Sequence, residues 1–272
     1  MEQLIAVAYD RKDEGSGIEM KGDKGVVLDS QDQAITAHMF WAKGTASELE
    51  YLCMKSFVDK GYHLLVWSYD DAIDLPPGAT LRDANAVIRE SKLFLNRQGS
   101  YAGFSDFFRY KVLNRFGGLY ADTDVIAVRP AAELPRRQFL VSEHCRLKTF
   151  KTYINGNVIY NPSPAKGNVI DLALAYTRRF PKDDIEWSEI GPALLSSIVS
   201  IYPRHDFVIQ PPSFANPIPW WDCPQKLLDD DAGSFNEPCF FFHCYNETWR
   251  RAGLDKNEAV RRKGTLLSRF LS

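Results

Sequence analysis

The stretch YHLLVWSY, residues 62–69, runs apolar without alternation, and no other segment constrains the fold as much. A strand with one wet face alternates polar with apolar, whereas an unbroken run marks a strand covered on both faces, as in a parallel sheet. Just before it, TASELEYLCMKSFVDKG (45–61) reads as a helix, with Leu49, Leu52, Cys53, Ser56 and Phe57 on one face and Gly61 as its stop. AITAHMFWA (34–42) reads as a strand before that helix. The three form a β-α-β unit whose crossover should be right-handed.

The pattern continues. PPGATLRDANAVI (76–88) reads as a turn, a short strand and a loop, and GFSDFFRYKVLNRFGG (103–118) as a helix. Its stripe is Phe104, Phe108, Val112 and Phe116, and Gly117-Gly118 ends it. LYA (119–121) is a short strand, and DVIAVRP resumes extended structure until Pro130. QFLVSEH and GNVIYN read as strands, PAKGNVIDLALAYTRRF and GPALLSSIVSIY as helices, and PCFFFHC leads to an Arg- and Lys-rich helical end. Such alternation predicts an α/β architecture with a mostly parallel central sheet flanked by helices. The polar, glycine-rich residues 1–33 read as an N-terminal extension, and 34–272 as a single domain.

Composition narrows the function classes. Of 272 residues, 45% are hydrophobic and the net charge is −2, so nothing indicates a nucleic-acid partner. No apolar run approaches the roughly 20 residues of a membrane span, and the N-terminus lacks a basic start followed by an apolar core. A cytoplasmic protein is expected. Five cysteines at irregular spacing, with no C-x-x-C, argue against a disulfide framework. Cys223, Cys239, His243 and Cys244 lack the paired knuckle of a zinc site.

Two acids, Asp122 and Asp124, follow LYA one residue apart. In open α/β sheets, ligands bind at the carboxyl ends of strands, which is where this D-x-D falls. Two readings stand: a solvated turn, or a hard-cation site whose carboxylates leave positions for water and phosphate oxygens. Asp106 and Arg109, three apart on the preceding helix, share a face. They are either a surface ion pair or groups delivered to the D-x-D.

FSDFFRYKVLNRFGGLYADTDV (104–125) resembles the sugar-binding region of the DXD-containing glycosyltransferases, whose pattern is S-D-x-x-R-Y followed by G-G-x-Y-x-D-x-D. That family includes initiating mannosyltransferases, bacterial capsule and lipopolysaccharide transferases and, more distantly, clostridial glucosylating toxins. HMFWAKG, INGNVIYNPSP, IGPALLS and FHCYNETWRRAGLDK resemble further family segments in the expected order, so the likeness runs over about 35–256. Tyr245 stands where the family has a first tail tryptophan, and Cys244 where an apolar residue is usual.

The resemblance implies a GT-A fold and metal-dependent hexosyl transfer with retention of configuration, from a nucleotide-diphosphate sugar (UDP-hexose first) to a glycan or glycolipid in surface polysaccharide biosynthesis. Mn²⁺ or Mg²⁺ would be held by Asp124, Asp122 and His243, with Asp122 touching either the ribose or the metal's surroundings. Asp106 and Arg109 would hold the sugar hydroxyls and phosphates, Trp41 would stack on the base, and Trp249 would help close over the diphosphate. Asn155 and Asn157 could reach the donor sugar. The alternatives are a core tryptophan for Trp41 and a core histidine for His243. The pair Trp220 and Trp221 reads either as an acceptor platform or as a hydrophobic corner. No second acid is placed as in a glycosidase pair, so front-face substitution is expected. Peripheral attachment to the inner membrane face would follow from a lipid-linked acceptor. The rivals are a phosphotransferase of the haloacid-dehalogenase type, with Asp122 as nucleophile, and a non-catalytic sugar-nucleotide or carbohydrate-binding module.

Overall fold

The computed structural model describes residues 34–146, 152–180, 184–229 and 238–271. The N-terminal extension expected over 1–33 lies outside the described residues. Strand β1 (Thr36–Trp41), helix α1 (Glu48–Asp59) and strand β2 (His63–Ser68) form the expected β-α-β unit, with β1 and β2 parallel. Strand β3 (Thr80–Asp83) adds in parallel beyond β2. Helix α2 (Ala102–Phe116) returns the chain to strand β4 (Gly118–Ala121), which pairs in parallel on the other side of β1. Next come strands β5 (Val125–Ala127), β6 (Phe139–Ser142) and β7 (Ile154–Asn161), helices α3 (Val169–Arg179) and α4 (Pro192–Ile201), and strand β8 (Val208–Gln210). Strand β9 (Phe241–His243) and helices α5 (Asn246–Ala252), α6 (Lys256–Arg261) and α7 (Leu266–Leu271) close the chain.

The seven-stranded sheet runs β3-β2-β1-β4-β7-β6-β8, and only β7 opposes its neighbours. A mostly parallel α/β sheet flanked by helices is therefore present, as expected. Alternate side chains of its strands feed two separate cores, as a period of two requires. Phe40, Leu65, Trp67, Tyr120, Leu140 and Ile159 pack on one face with α2, α3 and α4. Met39, Leu64, Val66, Leu119, Val141 and Val158 pack on the other face with Met54 and Phe57 of α1. The unbroken apolar run that opens the reading is the direct trace of this double coverage.

The small β5-β9 ribbon stands outside the main sheet. Its Ile126 and Phe242 join Leu49 and Cys53 of α1 and Trp249, Leu266 and Leu267 of the tail in a third core. Cys223, Cys239 and Cys244 are buried there too.

Two helix faces differ from the sequence reading. On α1 the buried set is Leu49, Glu50, Cys53, Met54 and Phe57, with Leu52 only half-buried. Glu50 is drawn in because its carboxylate accepts from Ser47 N–H at 2.8 Å and pairs with Lys256, a capping arrangement that apolar periodicity does not register. On α2 the stripe of Phe104, Phe108 and Val112 is buried, but Phe116 at the last turn is 46% exposed and stacks against Trp67 at 5.6 Å. The helix stops there at Gly117, which has φ 69°, before its final turn is covered.

Candidate active site

The D-x-D lies at the seam between the main sheet and the ribbon. Asp122 N–H donates to Asn157 O at 2.9 Å, prolonging the β4-β7 ladder by one bond. Val125 N–H then donates to Asp122 O at 3.1 Å, and the chain turns out into β5. In the ribbon Val125 stands opposite His243, and Cys244 N–H donates to Asp124 O at 2.9 Å. That register puts His243 Nε2 3.4 Å from Asp124 Oδ2. Asn246 N–H, at the start of α5, donates to the same oxygen at 2.7 Å. One ligand atom from each of Asp122, Asp124 and His243 falls within 4.8 Å of the others. Two carboxylates and an imidazole that converge in this way form a donor set suited to a divalent ion such as Mn²⁺, so the residues present fit the metal that the resemblance implies.

Helix α2 delivers the second half of the site. Asp106 and Arg109 are 6% and 5% exposed, so the surface-pair reading fails. Arg109 Nη2 lies 3.3 Å from Asp106 Oδ1 and 3.0 Å from Asp122 Oδ1, and its guanidinium sits 5.0 Å from the centre of the Tyr120 ring. Tyr120 is held in turn by Ser105 Oγ at 3.0 Å. One cation thus bridges the helix acid and the first acid of the D-x-D.

Two glycines make room for this pair. A methyl group on Gly156 would overlap Nη1 of Arg109, and one on Gly191 would lie 2.6 Å from Cγ of Asp106. Tyr110 OH donates to Ile190 O at 3.0 Å and ties α2 to the start of α4 beside Gly191. The glycines of INGN and IGPALLS are therefore spaces reserved for charged side chains.

The charges are strongly coupled. Burial pushes Asp106 up to about 6, with Arg109 opposing and Asp122 adding to the rise. Burial likewise raises Asp122, against Arg109 and with Asp124 adding its repulsion, although its side chain keeps a quarter of its surface exposed. Burial works against the Asp124 anion too, but the His243 charge and hydrogen bond and the Asn246 N–H outweigh it, and the group is held low. For His243 burial disfavours the cation, and Asp124, Asp122 and Glu143 more than offset this, so its pKa is raised. Arg109 stays charged because Asp122 and Asp106 offset its burial. Repulsion between Asp122 and Asp124 is what a bound divalent cation would relieve.

Among the other expected site residues, Trp41 is half-buried at the carboxyl end of β1, with Nε1 donating to Gly44 O at 2.8 Å. Trp249 is fully buried, and its Nε1 donates to Cys244 O at 2.7 Å. Its ring therefore supports the chain just after His243 from within the third core, and this placement does not fit the expected closing over a diphosphate. Trp220 is 45% exposed, and its ring meets half-buried Trp221 edge to face at 5.6 Å. Arg146 covers the Trp221 ring at 4.1 Å. Asn155 Nδ2 donates to Glu143 at 2.6 Å, and Asn157 is fully buried against Asn216.

Three residues near the site carry no candidate role in the sequence reading. Glu143 follows β6, is 7% exposed, and is raised mainly by burial. Tyr245 OH lies 2.9 Å from both of its carboxylate oxygens. Asn216 is fully buried beside His243. An acid just past an apolar strand, as in FLVSE, is the same signal that marks the D-x-D and points to Glu143. Asn216 has no such signal, because its role depends on four segments that meet only in the fold.

Residues 36–140 match the model of the glycosyltransferase sugar-binding region containing DXD motif. Among solved structures, the PaToxG glycosyltransferase is 19% identical with a TM-score of 0.43, over 62% of this chain and 70% of that one. The apo-form glycosyltransferase GlyE of Streptococcus pneumoniae TIGR4 is 13% identical with a TM-score of 0.42, over 84% of this chain and 63% of its own. No curated protein matches the chain. Over residues 36–140, the stretch that supplies Asp106, Arg109, Asp122 and Asp124, the chain is similar to the DXD-containing sugar-binding region of the glycosyltransferases.

Proposed function

We propose that the protein is a metal-dependent, retaining hexosyltransferase that uses a nucleotide-diphosphate sugar, UDP-hexose first, and a glycan or glycolipid acceptor in surface polysaccharide synthesis. One observation carries the reading: Asp122, Asp124 and His243 converge within 4.8 Å while Arg109 reaches Asp122 from the helix that also presents Asp106.

A divalent ion at Asp122, Asp124 and His243 would offset the negative charge that develops on the departing nucleoside diphosphate. Arg109 adds a fixed positive charge beside it, preorganised by its two acids and by Tyr120. Asp106 is the acceptor through which α2 would hold a sugar hydroxyl. Trp41, at the carboxyl end of β1, offers an aromatic face for the nucleobase. Trp220, the exposed member of its pair, offers one for the acceptor. Glu143 has its carboxylate engaged by Tyr245 and Asn155, which supports front-face substitution over attack by an enzyme carboxylate. A lipid-linked acceptor would bring the enzyme to the inner membrane face; no helix among the described residues is long and apolar enough to cross a membrane.

The test is release of nucleoside diphosphate from a panel of sugar nucleotides, with and without Mn²⁺, by the wild type and by Asp124→Asn. Release that requires Mn²⁺ and falls at least about 100-fold in the variant, the scale of one lost charge-stabilising group, is expected. A melting temperature that answers to phosphate mimics but to no sugar nucleotide would overturn the reading.

A further inference from the structure

Behind His243, on the side away from the D-x-D, lies a buried polar cluster drawn from four parts of the chain. Asn216 sits at its centre, in the loop after β8, and is fully buried. Its side-chain amide meets Ser142 O at 3.0 Å, Asn157 Nδ2 at 2.9 Å, His243 Nδ1 at 3.2 Å and Tyr245 OH at 3.5 Å.

These partners determine which way the amide points. Ser142 O is a backbone carbonyl and can only accept, so the Asn216 atom facing it is Nδ2. The oxygen of the same amide then faces His243, and an oxygen there requires a hydrogen on Nδ1. A neutral imidazole carries one N–H only. With that hydrogen on Nδ1, the nitrogen left to give up its proton and offer a lone pair to a metal is Nε2, 3.4 Å from Asp124 Oδ2.

Other contacts hold the ring in plane and place. His243 N–H donates to Ala215 O at 3.0 Å, so the loop carrying Asn216 also grips the His243 backbone. The Tyr245 ring lies against the imidazole, tilted by 35° with centroids 3.8 Å apart, and its hydroxyl is anchored on Glu143.

We propose that Asn216 is a positioning residue for the metal centre, holding His243 in the tautomer that presents Nε2 to Asp122 and Asp124. This rests on the metal-centre reading above. A partner on the far nitrogen orients an imidazole ligand and fixes its proton, and loss of such a partner lowers metal affinity about 10- to 100-fold.

The test uses the full chain labelled with ¹⁵N-histidine, with the His243 signal assigned by its loss in His243→Gln. In the metal-free wild type at alkaline pH, the His243 ring should carry its hydrogen on Nδ1. Mn²⁺ binding, followed by electron paramagnetic resonance, should weaken about 10- to 100-fold in Asn216→Leu. It should be largely kept in Asn216→Asp, which retains an acceptor toward Nδ1. A wild-type ring protonated on Nε2 overturns the proposal even where Asn216→Leu fails to fold. Mn²⁺ binding in the wild type that survives Asn216→Leu also overturns it while sparing the metal centre. A wild type that binds no Mn²⁺ overturns the metal-centre reading and the positioning role with it.

Discussion

At the residue scale, the site is governed by how one buried cation is shared between two acids. Arg109 faces Asp106 and Asp122, and all three would be costly to bury singly. Arg109→Met leaves both carboxylates without their partner and should destabilise the protein by about 3–5 kcal/mol in urea unfolding near neutral pH. That penalty should shrink on acidification, because protonated carboxyls no longer need the guanidinium; a penalty constant with pH would contradict the shared-cation account. The two glycines give a finer test. Gly191→Ala pushes on the Asp106 carboxylate without changing any charged group, and displacement of a positioning group by about 1 Å costs on the order of 100-fold in rate. Donor hydrolysis should fall by that order while far-UV circular dichroism stays native. Unaltered turnover would mean that Asp106 does not touch the donor.

At the element scale, what matters is where strands hand over to one another. Strand β4 belongs to the main sheet and β5 to the ribbon, so the two acids between them are held from both sides. Register decides the rest, because a slip of one residue in the β5-β9 pair would turn His243 to the opposite face. Entry into β4 is equally constrained. Gly118 has φ 89°, and a methyl group there would lie 2.7 Å from Thr36 O on the neighbouring strand. Backbone cannot give way as a side chain can. Gly118→Ala should therefore cost about 1–3 kcal/mol, read as a lower urea midpoint with unchanged slope.

At the scale of the whole molecule, the covered sheet imposes a pH dependence. His38 lies on β1, and its Nδ1 accepts from Trp67 Nε1 at 3.1 Å while Nε2 faces Gly117 O at 3.1 Å. The ring is thereby held neutral, and burial lowers its pKa from 6.5 to about 4, with the Gly117 hydrogen bond opposing. The unfolded chain accepts this proton first, so the His38 contribution is complete above pH 6.5 and is lost as pH falls toward 4. Across that window the loss is on the order of 3 kcal/mol. Asp106 and Asp122, both raised, act in the opposite sense, since the folded protein takes up their protons before the unfolded chain does. A difference measurement isolates His38: the stability gap between wild type and His38→Gln should be widest above pH 6.5 and narrow toward pH 4. A gap independent of pH would show that His38 is protonated alike in both states.

The sequence by itself determined the layers of the molecule and the place of its acids. Unbroken apolar strands report coverage on both faces, amphipathic helices report one buried side, and the Gly-Gly stop before LYA put Asp122 and Asp124 at a strand end. Those signals are local, because side-chain period and turn chemistry act over a few residues. Burial of Glu50 beside Lys256 and of Trp249 in the third core was decided by the tertiary structure, since each depends on neighbours distant in the chain. So does the nitrogen that His243 turns toward Asp124. It depends on a hydrogen bond that Nδ1 donates to Asn216, 27 residues away in sequence, and on a carbonyl of β6, and no pattern of residue types along the chain encodes which groups will meet there.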